Sequence, residues 1–370
     1  MSSQTKDFGL PEEEASHLNE LQWEIYIANL QRFATYLHKQ GKDPKKEIGY
    51  PENTVKIKIP RFHQLMKRVW EHEEVTTDFT IDHANTLAEA LDDDSFRRTD
   101  GDRFSEGSKR KFMDAIRNWF EFQNTDWEPD VTFSDGRATD HADPFRRSEL
   151  SELWQTTLTY KSIPSYNNIS PEERDRWKAH LAQELGKPKN EVTPDDWDRV
   201  NCDWKIPSLI RTTRGCGWRP DLVGRMEVDW YDPETRTIYI PEGEAPKNES
   251  AWKEPLSDES AMALEKWLTQ RENIEKYDDR KEIWLTRKGN PYGSGPLNDL
   301  LSNLIEESDI EPRGRKLVWY SFRHSIGTYV YNEYTDLRIV AEKLRQNSIK
   351  SADRYVHPLP ELKQEASEMM

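Results

Sequence analysis

Residues 206–241 read IPSLIRTTRGCGWRPDLVGRMEVDWYDPETRTIYIP, and their order decides the fold class. The run from Ile206 to Thr213 meets Gly215 and Gly217, which stop a helix. Beyond them, RMEVDW (225–230) and RTIYIP (236–241) alternate as strands do, with Asp232-Pro233-Glu234 as the turn between them. A third short strand is expected over Trp252–Leu256. Working outward, the text is helical. Leu264, Trp267 and Leu268 form one apolar stripe. Leu297, Leu300, Leu301, Leu304 and Ile305 form another, and Leu337, Val340, Ala341 and Leu344 a third. Upstream, Ser170-Pro171-Glu172-Glu173 opens a helix that Gly186 closes, and Thr193-Pro194-Asp195-Asp196 repeats the start signal. The reading is a mainly α chain with one small antiparallel β-sheet.

The N-terminal third carries four more stripes: Tyr26-Leu30-Phe33-Leu37, ended by Gly41; Phe62-Leu65-Met66-Val69-Trp70; Ala84-Leu87-Ala88-Leu91; and Phe112-Ile116-Trp119-Phe120 behind Ser105 and Ser108 as candidate caps. Four short helices predict a compact bundle. The stretch NTDWEPDVTFSDGRATDHAD (124–143) is polar, aperiodic and broken by Pro129 and Gly136, so it reads as a linker. The expected division is a helical domain over 1–123, a linker over 124–143 and a larger domain over 144–370.

Composition narrows the class. The 370 residues carry 53 Lys and Arg against 69 Asp and Glu, a net charge of −16. No apolar run approaches the roughly 18 residues of a membrane span, and the first residues lack the basic and apolar regions of a signal peptide. Two cysteines, Cys202 and Cys216, exclude a disulfide scaffold or a cysteine-built zinc site and read as small buried hydrophobes. A soluble, cytoplasmic protein is expected. High charge could signal disorder, but aromatics at 11%, set at helical spacing, argue for packed cores. An acidic surface over aromatic cores suits a cytosol of molar salt, where carboxylates hold water and repulsion is screened, so a halophilic source is expected.

Four segments carry the chemistry: GCGWRPDLVGRMEVDW (215–230), APKNESAWKEPLSD (245–258), WYSFRHSIGTY (319–329) and LRQNSIKSADRY (344–355). In this order, with a small sheet after the first, they resemble the tyrosine recombinase, or phage-integrase, family over about the last half of the chain, and the wording is similar to that of haloarchaeal integrase-like proteins. The resemblance implies a helical core-binding domain followed by an α+β catalytic domain, and a site-specific recombinase that cuts and rejoins DNA through a 3′-phosphotyrosyl link, without metal or cofactor. It implies roles by position. Arg219 and Arg323 would hold the phosphate; two planar guanidiniums that never lose their proton suit the charge that grows on its oxygens. Lys247, with Lys253 as rival, would protonate the leaving 5′ oxygen. Tyr355, nine positions after Gln346, would attack phosphorus.

The chain departs from that pattern at two sites. Tyr320 and Gln346 stand where the family has histidine, or histidine or tryptophan, so no general base is evident; both side chains can still hydrogen-bond a phosphate. His324, next to Arg323, should point about 100° away on a helix and either serve a structural role or sit one layer behind the residues that act. The alternative reading is a DNA-binding protein that keeps the fold with impaired chemistry; a relaxing topoisomerase is a third. Lys109, Arg110, Lys111 and Arg117 form a local basic cluster on the bundle, a candidate DNA contact. Positive charge near the site is expected on Arg211, Arg214 and Arg345 as well. The implied partners are double-stranded DNA and further copies of the chain, as a tetramer, with no membrane; the tail PLPELKQEASEMM could pack in cis or in trans.

Overall fold

The structure, a computed structural model, describes residues 8–12, 17–72, 75–133, 142–200, 202–244, 250–346 and 348–356. The chain divides into two compact units, residues 1–141 and 142–370.

In the first unit the four stripes become α1 (Glu20–Lys39), α2 (Glu52–His72), α3 (Ile81–Asp92) and α4 (Glu106–Phe122). Their starts are set by side chains that accept orphan amides: Asn19 and Gln22 close a capping box on α1, Thr80 and His83 one on α3, and Ser105 caps α4. The apolar stripes meet in an aromatic core. Phe62 stacks on Trp119 with ring centroids 4.4 Å apart, and Phe33 meets both edge-on. The stretch read as a linker begins differently from expectation. Trp127, Val131 and Phe133 pack on the bundle, and Trp127 Nε1 donates to Asn85 Oδ1 at 2.9 Å. Burying three apolar side chains outweighs the polar composition around them.

In the second unit, α5 (Arg147–Tyr160) precedes a pair, α6 (Pro171–Leu185) and α7 (Pro194–Arg199), with a small core of its own: Ile163, Trp177, Leu181, Val192 and Trp197. Then comes α8 (Lys205–Cys216), buried along almost its whole length and packed by α5, by α10 (Asp258–Arg271) and by α12 (Tyr320–Tyr334). Two buried indoles of this core are paired: Trp284 Nε1 donates to Ser208 Oγ at 2.9 Å and Trp267 Nε1 to the carbonyl of Ile283 at 2.8 Å. The short α9 (Pro220–Val223) follows, then the sheet, then α11 (Ser294–Glu306), α13 (Leu337–Lys343) and a final 3-10 turn, Ile349–Tyr355.

The sheet has three antiparallel strands in the order β1 (Tyr231–Asp232), β2 (Thr237–Ile240), β3 (Trp252–Pro255). The third strand and the turn at Asp232 fall where expected. The first strand does not: 225–230 is not a strand, and Val228–Trp230 is a 3-10 turn. Residues 226–228 bond instead to the segment 281–283, with Ile283 N donating to Met226 O at 2.8 Å and Val228 N to Lys281 O at 2.9 Å. A distant partner takes the amides and carbonyls that a local hairpin would have used.

Candidate active site

Helix α8 ends at Gly217, whose φ of +65° is the left-handed conformation glycine adopts without strain. A Cβ there would lie 3.0 Å from Ile326 Cδ1 and 3.1 Å from Leu344 Cδ2, so the turn also needs the missing side chain. The chain then turns through Trp218 and Arg219 into α9. This brings Arg219 to a cleft lined also by Cys216, Trp218, Trp252, Glu254, Arg323, Lys343 and Arg345. The two arginines expected to act together therefore do converge, from α12 and from the end of α8.

Arg323 is 3% exposed. Its Nη1 donates to the carbonyl of Gly217 at 2.8 Å, 106 positions away, and its Nη2 donates to the carbonyl of Leu344. It thereby ties the turn carrying Arg219 to the turn carrying Gln346. Of five N–H donors these bonds use two, and Nε is buried without an acceptor. Arg219 hydrogen-bonds Tyr320, the first residue of α12. Burial first, and the charge of Arg323 second, lower the basicity of Arg219 from its usual range.

Tyr355 is fully buried and does not line the cleft. Its hydroxyl accepts from Gln346 Nε2 at 3.1 Å, across the nine positions the sequence marked. Its ring lies on Gly327, where a Cβ would come within 2.5 Å of Tyr355 Cδ1. Burial raises the phenol's pKa; the Arg323 charge opposes this in part, and Arg323 is also a hydrogen-bond partner of the phenol. His324 packs behind the site residues, one of the two places expected for it. Its ring stands 5.2 Å from both the Tyr355 and the Tyr320 rings. The 100° offset from Arg323 does not carry it away, because α12 is packed on nearly every side here. Tyr355 packs on His324 and Gly327, one turn apart on α12.

A second layer escaped the sequence reading. Glu254, buried on β3, pairs with Lys343 Nζ at 2.8 Å and adjoins Cys216. Burial alone would lower the Lys343 pKa; Glu254 more than offsets it, and the pKa is raised. Burial, with Glu254 beside it, holds the Cys216 thiol protonated well above its ordinary range. The alternation of β3 was the available signal: it sets Trp252 and Glu254 on one face and Lys253 on the other. Lys253 accordingly lies exposed over the Tyr239 ring at 5.1 Å, away from the cleft. Lys247 lies outside the described residues, as do the tail residues 357–370.

The other expected cations separate. Arg345 lines the cleft and lies over the Trp252 ring at 5.2 Å. Arg211 and Arg214 do not line it. Arg211 pairs with Glu259 and stacks on Trp154, and Arg214 donates to the carbonyl of Leu150 at 3.0 Å, because successive turns of α8 face α5 and α10. On the bundle, Lys109 is 6% exposed and pairs with Asp94 at 2.8 Å and Glu106 at 3.4 Å, so its charge is met inside the unit. Arg117 pairs with Asp114 at 3.5 Å, Arg110 is half-buried, and Lys111 is exposed. Cys216 is buried as expected, while Cys202 is only half-buried.

Residues 203–361 match the model of the phage integrase family. No curated protein matches the chain closely enough to serve as a relative. Among solved structures, it is similar to the XerH site-specific recombinase bound to palindromic difH substrate in a post-cleavage complex, with a TM-score of 0.53 and 16% identity over 96% of this chain and 90% of that one. It is also similar to the Tn1549 transposon integrase in complex with transposon right-end DNA, at 0.52 and 12% over 92% and 98%. A lambda integrase dimer bound to a COC′ core site matches at 0.50 and 11% over 89% and 94%. These likenesses establish the fold: a mainly helical chain with a small three-stranded antiparallel sheet, built as those proteins are.

Proposed function

We propose that this chain is a tyrosine-type site-specific recombinase of the phage-integrase family, which cuts and rejoins double-stranded DNA as an oligomer. One observation carries the reading: Arg219 and Arg323 line one cleft, and Tyr355, bonded to Gln346, is a hydrogen-bond partner of Arg323. The scissile phosphate binds over Arg219 and the remaining donors of Arg323. The Tyr355 oxygen attacks phosphorus and gives its proton to solvent water, the bond from phosphorus to the 5′ oxygen breaks, and Lys247 gives that oxygen a proton. The 3′-phosphotyrosyl link keeps the bond energy for attack by a second 5′-hydroxyl. Positive charge at the cleft lowers the cost of the growing oxyanion and favours the phenolate. Gln346 cannot act as a base; its amide donates to the attacking oxygen. Because Tyr355 is buried, the segment Ile349–Tyr355 must swing outward for the phenol to reach phosphorus.

The charge of −16 fits this reading in a halophilic cytoplasm. Counterion release contributes little at molar salt, so affinity rests on shape, base contacts and contacts between protomers. Among the described residues no helix is long and apolar enough to cross a membrane. The buried phenol and the neutral Gln346 also favour a second reading, a DNA-binding protein without cleavage.

One experiment separates the two. The protein is incubated in molar KCl with a pool of nicked duplexes from its source genome, and detergent-resistant adducts are collected. The recombinase reading expects an adduct in the wild type and none with Tyr355→Phe. An adduct that forms equally with the variant refutes the assignment of Tyr355, and retained DNA without any adduct supports the second reading.

A further inference from the structure

The cleft holds a third guanidinium that the arginine pair does not explain. Arg345 has a φ of +49°, a left-handed backbone that costs a non-glycine residue roughly 1 kcal/mol or more. Of the eight non-glycine residues with positive φ among the described residues, it is the one that lines the cleft. That backbone places its guanidinium over the Trp252 ring. Its Nε is buried without an acceptor, and among the described residues no carboxylate pairs with it. Glu254, the acid in the same cleft, is committed to Lys343.

The unpaired atoms of the cleft lining are donors, whereas Gln346 Oε1, an unpaired acceptor, belongs to a residue outside that lining. Trp218 Nε1, Trp252 Nε1, Arg323 Nε and Arg345 Nε all belong to residues lining this cleft, and all four are buried donors without acceptors. Buried donors are ordinarily satisfied, and each orphan destabilises the fold. A concentration of donors around one opening selects an acceptor-only ligand, which is an anion with several oxygens.

We infer that Arg345, stacked on Trp252, is a third phosphate-binding residue of this cleft, donating to the same tetrahedral anion as Arg219 and Arg323. The inference rests on the reading of the cleft as a phosphodiester site and adds a residue to it. Gln346 is neutral, so Arg345 supplies next to it a permanent positive charge within the turn Leu344–Gln346. The neighbouring carbonyl of Leu344 accepts from Arg323, so one turn holds both guanidiniums. Trp252 is the positioning residue: its ring orients the planar fork and restricts its rotamers.

The test uses the full chain and inorganic phosphate, with affinity read by calorimetry and Tm read alongside. Arg345→Gly removes the guanidinium and suits a positive φ, so the Tm without phosphate is expected to hold or rise while phosphate affinity falls about tenfold or more. Arg345→Lys keeps the charge without the fork and should fall between. Trp252→Leu should weaken phosphate binding in the wild type and leave it unchanged in the Arg345→Gly background. A wild type that binds no phosphate, or an Arg345→Gly variant that binds it as the wild type does, overturns the inference. The adduct assay separates this from the recombinase reading. Arg345-dependent phosphate binding without any Tyr355-dependent adduct leaves the inference standing and removes the reading. A Tyr355-dependent adduct of unchanged rate in Arg345→Gly does the reverse.

Discussion

Replacing Gly327 by alanine tests the placement of Tyr355 directly. A Cβ at position 327 would lie 2.5 Å from Tyr355 Cδ1, 2.6 Å from Cγ and 2.8 Å from Cε1. Carbon atoms in contact sit about 3.5–4.0 Å apart, so the ring must retreat by about 1 Å or leave. Overpacking a filled site costs roughly 1–3 kcal/mol. Against that, alanine in place of glycine inside a helix gains about 1 kcal/mol, and position 327 lies inside α12. The net expectation for Gly327→Ala is a destabilisation between zero and about 2 kcal/mol. In a Tyr355→Ala background the clash has no partner and only the helical gain remains. The sign then reverses, to a stabilisation of about 1 kcal/mol. Denaturant unfolding of the two single variants, the double variant and the wild type closes the cycle, with an expected coupling of roughly 1–3 kcal/mol. Equal effects of Gly327→Ala in both backgrounds would refute the packing of the phenol on α12, and with it the premise that Tyr355 must move before it reacts.

Two further expectations follow from single geometries. Gly217→Ala adds a Cβ 3.0 Å from Ile326 Cδ1 on a backbone with φ of +65°, so it should lower stability by roughly 1–3 kcal/mol; because this turn carries Arg219, phosphate affinity measured by calorimetry should fall with it. In the first unit, His63 shares a 2.9 Å hydrogen bond between its Nδ1 and the Tyr26 hydroxyl, and burial first, then Lys67, lower its pKa to about 4. The folded state thus disfavours the proton. The stabilisation is complete above the ordinary histidine pKa of about 6.5 and is lost as pH falls from there toward 4. Urea unfolding of the wild type across that window should show this loss, and His63→Phe should flatten the part due to this residue.

How much of the molecule could be read in one dimension differs by element. The helices were legible because their apolar spacing and their caps are local: Tyr26-Leu30-Phe33-Leu37 and the start at Asn19 need no distant partner. The first strand was misread because RMEVDW alternates as a strand should, yet its amides and carbonyls go to 281–283, a partner no local pattern announces. Composition could not say which basic residues meet a carboxylate. Lys109 and Arg211 carry the same charge in the sequence as Arg345, but Asp94 and Glu259 lie against the first two.

The sequence alone determined the mainly helical class, the small sheet and the ordered set Arg219, Arg323, Gln346 and Tyr355, because motif order and periodicity are properties of the chain itself. Tertiary structure decided which of these side chains point at one another: that Arg323 spends two donors on the carbonyls of Gly217 and Leu344, that Tyr355 lies buried on Gly327, and that Lys253 faces away while Arg345 faces in. The physical reason is that hydrogen bonds and steric contacts act over a few ångströms in space, and groups more than a hundred positions apart come within that range only once the surrounding core has packed.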